Sequence, residues 1–235
     1  MAEAVRAGRA LEVLVVAGSR ATPALRELAE AAAESGVSLR EVSRADLDRL
    51  VSDHHGAAAR VAAPRELSEQ DLRRSSFSPE AVCVVLDGIT DPQNLGAAAR
   101  TAEAAGVDLL VTRERRAAAV TAAAVRASAG ALLYLPQARV VNLTRTLRWL
   151  ADQAGFTVVG LDQDAPSSIH DDPCPEGRVA LVVGSEGAGM SRLVRESCDR
   201  LVRLPMRGHV ASLNASASLA AALFGYVLPS RRALP

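Results

Sequence analysis

Four short apolar runs in the second half of the chain leave few options for its fold. They read AVCVVLD (81–87), VDLLVT (107–112), FTVVGLD (156–162) and VALVVG (179–184). None shows the polar-apolar alternation of a strand with one wet face, and none is long enough for a buried helix. Each reads as a strand buried on both sides. Between them lie alanine-rich segments with helical character, NLGAAARTAEAAG (94–106), AAAVTAAAVRASAGALLYL (117–135) and VVNLTRTLRWLADQAG (140–155). In the last of these Asn142 is placed as a cap and Trp149 as core. RLVRESC (192–198) reads as a further helix, RLVRLPM (200–206) as a further strand and SLNASASLAAALFGYVL (212–228) as a final helix. Alternating strands and helices with near-continuous apolar strands imply an α/β fold, a parallel sheet with helices on both faces.

The first sixty residues make a smaller α/β unit. LEVLVVAG (11–18) reads as a buried strand. TPALRELAEAAAESG (22–36) reads as a helix with Thr22 as N-cap, Pro23 in its first turn and Gly36 as its stop. VSLREVS then gives a strand, and RADLDRLVS a short helix led by Ser43. The stretch APRELSEQDLRRSSFSPEA carries two prolines, many charges and no sustained period, so it reads as a linker with one helical turn. The expected organisation is a unit at 1–63, a linker at 64–80 and a larger domain at 81–235.

Composition narrows the chemistry. Hydrophobic residues make up 49% of the 235 and aromatics only 3%, so the core is built from Ala, Val and Leu. All 27 basic residues are arginine and the formal net charge is zero. That balance weighs against a uniformly basic nucleic-acid binder but leaves room for a local arginine face, since arginine makes forked contacts suited to phosphate. Runs such as Arg113–Arg116 fit such a face, although most charge runs are solvated surface. Cys83, Cys174 and Cys198 lie far apart, and Cys83 reads as core. His54, His55, His170 and His209 also lack metal-ligand spacing, so no metal is expected. With no apolar run of membrane-spanning length and no signal-peptide pattern, the expectation is a cytoplasmic protein without disulfides.

Phosphate motifs fail here. There is no G-x-x-x-x-G-K-[ST], and GSEGAG lacks G-x-G-x-x-G while placing a carboxylate where a pyrophosphate would sit. Three polar turns remain. In DPQNLGAAAR, Asn94 reads as a helix cap, Gly96 permits close backbone approach, and Arg100 lies at i+4 from Gly96. In VVGSEGAG, Gly184, Gly187 and Gly189 surround Glu186. In LPMRGHVASLNASAS, Ser212 and Asn214 stand where the last helix begins. Singly, each has an ordinary reading as a surface charge, a loop carboxylate or a cap. Ligands of parallel α/β sheets bind outside the carboxyl ends of the strands, so three such turns together indicate a site.

DPQNLGAAARTAEAAGV, ALVVGSEGAGMSRLVRESCD and LVRLPMRGHVASLNASASLAAALF resemble, in order and spacing, the three signature motifs of the SpoU/TrmH (SPOUT) ribose 2′-O-methyltransferases. The likeness is nearest to the 23S rRNA guanosine-2′-O-methyltransferase branch, and EAVRAGRALEVLVVAGSR with DHHGAAARVA resembles the start and end of its L30e-like substrate-binding domain. Where that branch often has His-Gln-Gly, this chain has His54-His55-Gly56. The resemblance implies a trefoil-knotted sheet and a pocket for S-adenosylmethionine built largely by backbone. The matching cofactor positions are Gly184, Leu204 and Leu213, with neighbours Gly160, Ser185, Pro205 and Met206. It implies catalytic work for Arg100, with Asn94, Glu186, Ser212 and Asn214 ordering the pocket and the ribose. It further implies RNA as partner, homodimerisation through the knotted domain, and no membrane association. The same chemistry on tRNA or on an antibiotic-resistance site in rRNA, a non-catalytic RNA-binding protein, and an ordinary nucleotide-binding α/β protein stand as alternatives. The missing phosphate motifs disfavour the last.

Overall fold

A computed structural model describes residues 1–18, 22–51, 54–64, 66–209 and 212–231. The chain divides into two compact units, Met1–Pro64 and Arg65–Pro235. In the first, helix α1 (Ala2–Arg6) precedes strand β1 (Ala10–Val16), helix α2 (Pro23–Glu34), strand β2 (Leu39–Val42), helix α3 (Arg44–Leu50) and strand β3 (Ala57–Val61). The sheet order is β2-β1-β3, with β2 parallel and β3 antiparallel to β1. The Thr22 hydroxyl accepts from Leu25 N–H and Pro23 opens α2, so the start signals read from the sequence are used as written. Val13 and Val15 share one face of β1 and pack with Leu25, Leu28 and Ala32 of α2. The antiparallel β3 and the helix α1 were not visible in the sequence pattern, because each is only five residues long, too short to show a period.

His54 explains the turn into β3. Gly56 N–H donates to its Nδ1 at 2.9 Å, which leaves Nε2 to carry the proton donated to Asp48 at 2.8 Å. The ring is buried and locks this turn, and His55 takes a left-handed backbone with φ 47°.

The second unit runs β4 (Glu66–Leu67), α4 (Glu69–Arg74), β5 (Val82–Asp87), α5 (Pro92–Ala104), β6 (Leu109–Arg113), α6 (Ala122–Ala127), α7 (Ala131–Tyr134), β7 (Gln137–Val140), α8 (Leu143–Asp152), β8 (Phe156–Leu161), β9 (Ser167–Ser168), β10 (Arg178–Gly184), α9 (Arg192–Arg195), β11 (Arg200–Arg203) and α10 (Ala215–Ala222). Eight strands form one parallel sheet in the order β4-β7-β6-β5-β10-β8-β11-β9. Both edge strands are two residues long, which limits the unpaired edge offered to other chains.

The two-sided burial predicted from the apolar runs is visible residue by residue. All six residues of β5 are buried. Val82, Val84 and Leu86 face a core with Leu95, Ala98, Ala99 and Ala102 of α5 and Leu219 and Ala222 of α10. Cys83 and Val85 face the opposite core, with Leu72 of α4, Leu143, Leu147 and Leu150 of α8 and Val194 of α9. The period of two thus feeds two cores at once.

Three stretches differ from the sequence reading. The stretch expected as a linker supplies β4, paired with Gln137 and Ala138, and α4, whose Ser68 and Asp71 form a reciprocal capping box. A helix burying one leucine, Leu72, shows no periodicity, so only its cap could have announced it. The long helix expected over 117–135 is broken into α6 and α7, because Ala129 and Gly130 adopt left-handed conformations with φ of 51° and 93°. The final helix ends at Ala222 and continues as a wider π-turn over Leu223–Val227.

Gly96 explains how an aromatic-poor core packs. A Cβ there would lie 2.5 Å from Ala127 Cβ and 2.6 Å from the Ala124 carbonyl oxygen. The close approach that this glycine permits is to α6, not to a ligand. Gly96→Ala is therefore expected to destabilise the protein by about 1–3 kcal/mol, the usual overpacking cost. Gly225→Ala, where a Cβ meets open space, should shift stability far less. Urea denaturation midpoints of the two variants check this.

Candidate active site at the carboxyl edge of the sheet

At the middle of the sheet β5 and β10 lie side by side, with Asp87 in register with Gly184. From β5 the sheet continues through β6, β7 and β4 on one side and through β10, β8, β11 and β9 on the other. The order reverses direction here, and the crevice outside the strand ends at such a reversal is where parallel sheets hold ligands.

The turn leaving β10 is built by backbone. Ser185 N–H donates to Gly189 O at 3.1 Å and Gly189 N–H donates back to Ser185 O at 2.9 Å. Gly187 and Gly189 take φ of 75° and 65°, the left-handed region that favours glycine. A side chain on Gly184 would collide with the backbone of Gly189 and Met190. Gly184 is thus required by the turn's own return path, and a larger residue there would break the turn rather than merely fill the cleft.

Asp87 ties this turn to the sheet. Its carboxylate is 3% exposed, pairs with Arg113 at 2.8 Å and accepts from Ser191 N–H at 2.7 Å. Arg113 also donates to Ser191 Oγ at 3.1 Å. Arg113, read with its neighbours as a possible surface run, is half-buried and structural. Across the same edge, Asn94 Nδ2 donates to Glu186 Oε1 at 3.0 Å, joining the turn before α5 to the turn after β10. Asn94 is not the cap expected. Asp91 caps α5 by accepting from Gln93 N–H, which frees the Asn94 amide for Glu186.

A cleft of about 430 Å³ opens beside this junction. Val183, Gly184 and the Ser185–Met190 turn form one wall, Leu161 to Asp164 a second, and Leu204, Ser212 and Leu213 a third. Asp162, Asp164 and Glu186 line it against one cation, Arg195. Arg195 donates through Nε to Asp162, and that bond raises its guanidinium above the ordinary arginine value. Three carboxylates against one guanidinium leave the lining two charges negative. The leucines and Met190 add apolar surface. The combination suits a ligand with a flat apolar part and a positive centre.

The expected residues separate into groups. Gly184, Ser185, Glu186, Leu204, Ser212 and Leu213 line the cleft. Asn94 reaches it through Glu186. Asn214 caps α10, accepting from Ala217 N–H at 2.7 Å. Pro205 and Met206 follow Leu204 along the chain but do not line the cleft, and neither does Gly160. A Cβ on Gly160 would meet Cys198, Leu201 and Met190 at 2.8 Å, so that glycine serves packing. Arg100 is exposed on α5, and its side chain makes no hydrogen bond or ion pair with the described residues. It lies six residues beyond Asn94, about 9 Å along the helix axis. Asp87, Asp162 and Arg195 were missed in the sequence. Their one available signal was a carboxylate closing an apolar strand, VVLD and VGLD. Among the described residues no group of His, Cys, Asp and Glu could hold a metal ion, and no helix is long and apolar enough to cross a membrane.

Residues 81–224 match the family model described as SpoU rRNA Methylase family, and residues 2–67 match RNA 2′-O ribose methyltransferase substrate binding. The chain is 45% identical over 218 residues to an uncharacterized tRNA/rRNA methyltransferase of Mycobacterium avium, covering 91% of this chain and 70% of that one. It is similar in structure to the SpoU methyltransferase AviRb from Streptomyces viridochromogenes in complex with AdoMet, with a TM-score of 0.77, 27% identity, and coverage of 97% of this chain and 86% of that one. It is also similar to an RNA 2′-O ribose methyltransferase, with a TM-score of 0.78, 29% identity and coverage of 99% and 85%.

Asp87→Ala leaves Arg113 and the Ser191 amide without their buried acceptor. The expected loss of stability is about 3 kcal/mol, the low end for breaking a buried pair because Arg113 retains some access to water. Amide exchange at Ser191 should accelerate more than exchange within β5, and hydrogen-exchange mass spectrometry reads both.

Proposed function

The chain belongs to the SpoU rRNA methylase family, S-adenosylmethionine-dependent RNA ribose 2′-O-methyltransferases, and we propose that its target is the ribose of a guanosine in 23S rRNA. The observation that carries the methyltransferase reading is the Asn94–Glu186 bond beside an acidic cleft, and the guanosine target rests on the resemblance of the three motifs. The likeness to a SpoU enzyme holding AdoMet supports the cofactor.

The cofactor fits the residues present. Asp162, Asp164 and Glu186, which line the cleft with an excess of negative charge, would hold its sulfonium and ammonium, and Leu204 and Leu213 would offer apolar surface to its adenine. Bound there, S-adenosylmethionine supplies a methyl group already activated by positive charge. The ribose 2′-hydroxyl is the poor partner, being almost wholly protonated at neutral pH, so the protein's task is to place it in line and favour its proton loss. The Arg100 guanidinium offers only N–H donors and no acceptor, so it does not take that proton. Its role is to hold the adjacent phosphate and stabilise the alkoxide as it forms. Asn94 and Glu186 order the ribose side of the cleft. Ser212 faces the cleft directly, and Asn214, its oxygen used in capping α10, fixes the position of the Ser212 loop.

The wider assembly belongs to the same proposal. Residues 1–63 act as an L30e-like RNA-binding domain, and the catalytic domain takes the trefoil-knotted path of SPOUT enzymes. Its assignment to 81–235 extends back to Glu66, since β4 and α4 are built into the same unit. The protein works in the cytoplasm as a homodimer formed through the catalytic domain, the commonest closed symmetry. Light scattering at micromolar concentration should give twice the 24.5 kDa chain mass, and a monomer would contradict the assembly.

Methyl transfer from labelled S-adenosylmethionine to protein-free rRNA, followed by mapping of 2′-O-methyl positions, tests the reaction and its target. Arg100→Ala should lower transfer by about 10²-fold or more, the scale of one positioned catalytic group, with cofactor affinity nearly unchanged. Arg100→Lys keeps the charge, loses the fork and should also be poor. Near wild-type turnover in Arg100→Ala would remove Arg100 from the mechanism.

A further inference from the structure

Arginine is the chain's only long basic residue, and most copies in the second unit are tied down. Arg113 serves Asp87, Arg178 donates to three carbonyls, Arg195 pairs with Asp162 and Arg203 donates to the carbonyls of Ala165 and Pro166. Arg115 and Arg116, on the loop after β6, are among the remainder. Both are exposed, and neither makes a hydrogen bond or ion pair with the described residues.

The loop that carries them is fixed on both sides. Glu114 N–H donates to Val140 O at 2.9 Å, and Glu114 O accepts from Arg139 at 2.7 Å. Four residues on, Ala118 N–H donates to Ile89 O at 2.8 Å. Ile89 belongs to the turn that leads into α5 and Asn94. Between these anchors Arg116 holds a left-handed backbone, φ 58°, which residues other than glycine seldom adopt. Two free guanidiniums are thus presented from a short anchored span hydrogen-bonded to the substrate-facing turn.

Position adds the second argument. Only β5 separates β6 from β10. The arginine loop therefore stands about two strand spacings, roughly 10 Å, from the turn carrying Glu186. It lies on the opposite side of β5 from the cleft. That distance matches about three stacked nucleotides at ~3.4 Å each. An RNA strand with its target ribose at the cleft would bring neighbouring phosphates over Arg115 and Arg116.

We propose that Arg115 and Arg116 form a clamp for the RNA backbone beside the target nucleotide, an inference that rests on the methyltransferase reading above. They are positioning residues. They hold phosphates, touch neither cofactor nor reacting atoms, and set where along the strand the target ribose falls.

The test uses the full-length protein, protein-free rRNA and S-adenosylmethionine. Arg115→Gln/Arg116→Gln should raise the KM for RNA at least tenfold and leave kcat within about twofold. It should reduce the slope of log affinity against log salt by about 1.4, two contacts at ~0.7 each for single-stranded RNA. Affinity for S-adenosylmethionine should be unchanged, which also reports an intact fold. Arg115→Gln alone leaves the Arg116 backbone as it is and should show about half the change in slope. Arg74→Gln/Arg148→Gln removes the same charge from exposed positions on α4 and α8 and should leave KM and slope as in the wild type. A loop variant with wild-type KM and slope would overturn the clamp, as would an equal loss in the α4/α8 variant. If the wild-type protein itself transfers no methyl group to rRNA, the proposed rRNA target fails and the clamp argued on that substrate falls with it.

Discussion

The buried carboxylate of Asp87 is the interaction on which the site depends. It ends the central strand β5, pairs with Arg113 at the end of β6 and accepts from Ser191, where the glycine turn returns from β10. Three neighbouring segments therefore meet on one side chain that is 3% exposed. An ionised group in such a place is tolerated only when paired and hydrogen-bonded, and both conditions are met. The turn that begins at Gly184 is closed by the Ser185–Gly189 backbone pair, and its end is held by Met190 packed against the core. The Ser191–Asp87 bond ties the return of that turn to the end of β5, and so fixes the wall of the cleft to the sheet.

The cleft's charge follows from the same geometry. Carboxylates at the ends of parallel strands converge, because all strands point their carboxyl ends to one edge. Asp87 is neutralised by Arg113, and Asp162 is shared with Arg195. Asp164 and Glu186 remain to give the lining its negative excess. A chain with zero net charge thus carries an acidic cleft on one side of β5 and free arginines on the other. For a methyltransferase that separation is physically sensible. A cationic methyl donor and a polyanionic substrate need opposite fields, and they must meet at one turn, where Asn94 bonds Glu186.

Much of this was legible in advance, for identifiable reasons. The four apolar runs became β5, β6, β8 and β10, because burial on both faces imposes a pattern that no other element shares. Capping residues Thr22, Ser43 and Asn142 were readable because a cap is a local hydrogen bond. Elements that bury one or two residues were not readable. Strand β4 hid in a polar stretch where only a single helical turn was expected for what is α4, and β7, Gln137–Val140, fell largely in the unassigned gap between the segments read over 117–135 and 140–155. The break at Ala129–Gly130 was also invisible, since alanine favours helix locally and the left-handed turn is imposed by packing.

By itself the sequence determined the parallel sheet covered on both faces, the three polar turns, and the resemblance that joins them to one chemistry. These rest on local rules of periodicity, capping and motif spacing that a one-dimensional string retains. Only the tertiary structure decided the partners. It made Asp91 rather than Asn94 the cap of α5, and it turned Asn94 toward Glu186, 92 residues away. It spent Gly96 and Gly160 on packing and left Gly184 to the return of its own turn. It buried Arg113 on Asp87 while leaving Arg115 and Arg116 free, though all three sit in one run of charge. The reason is common to all of these. Whether a polar side chain is structural or available depends on which distant atom reaches it first, and that is fixed by strand order and register, which local sequence does not encode.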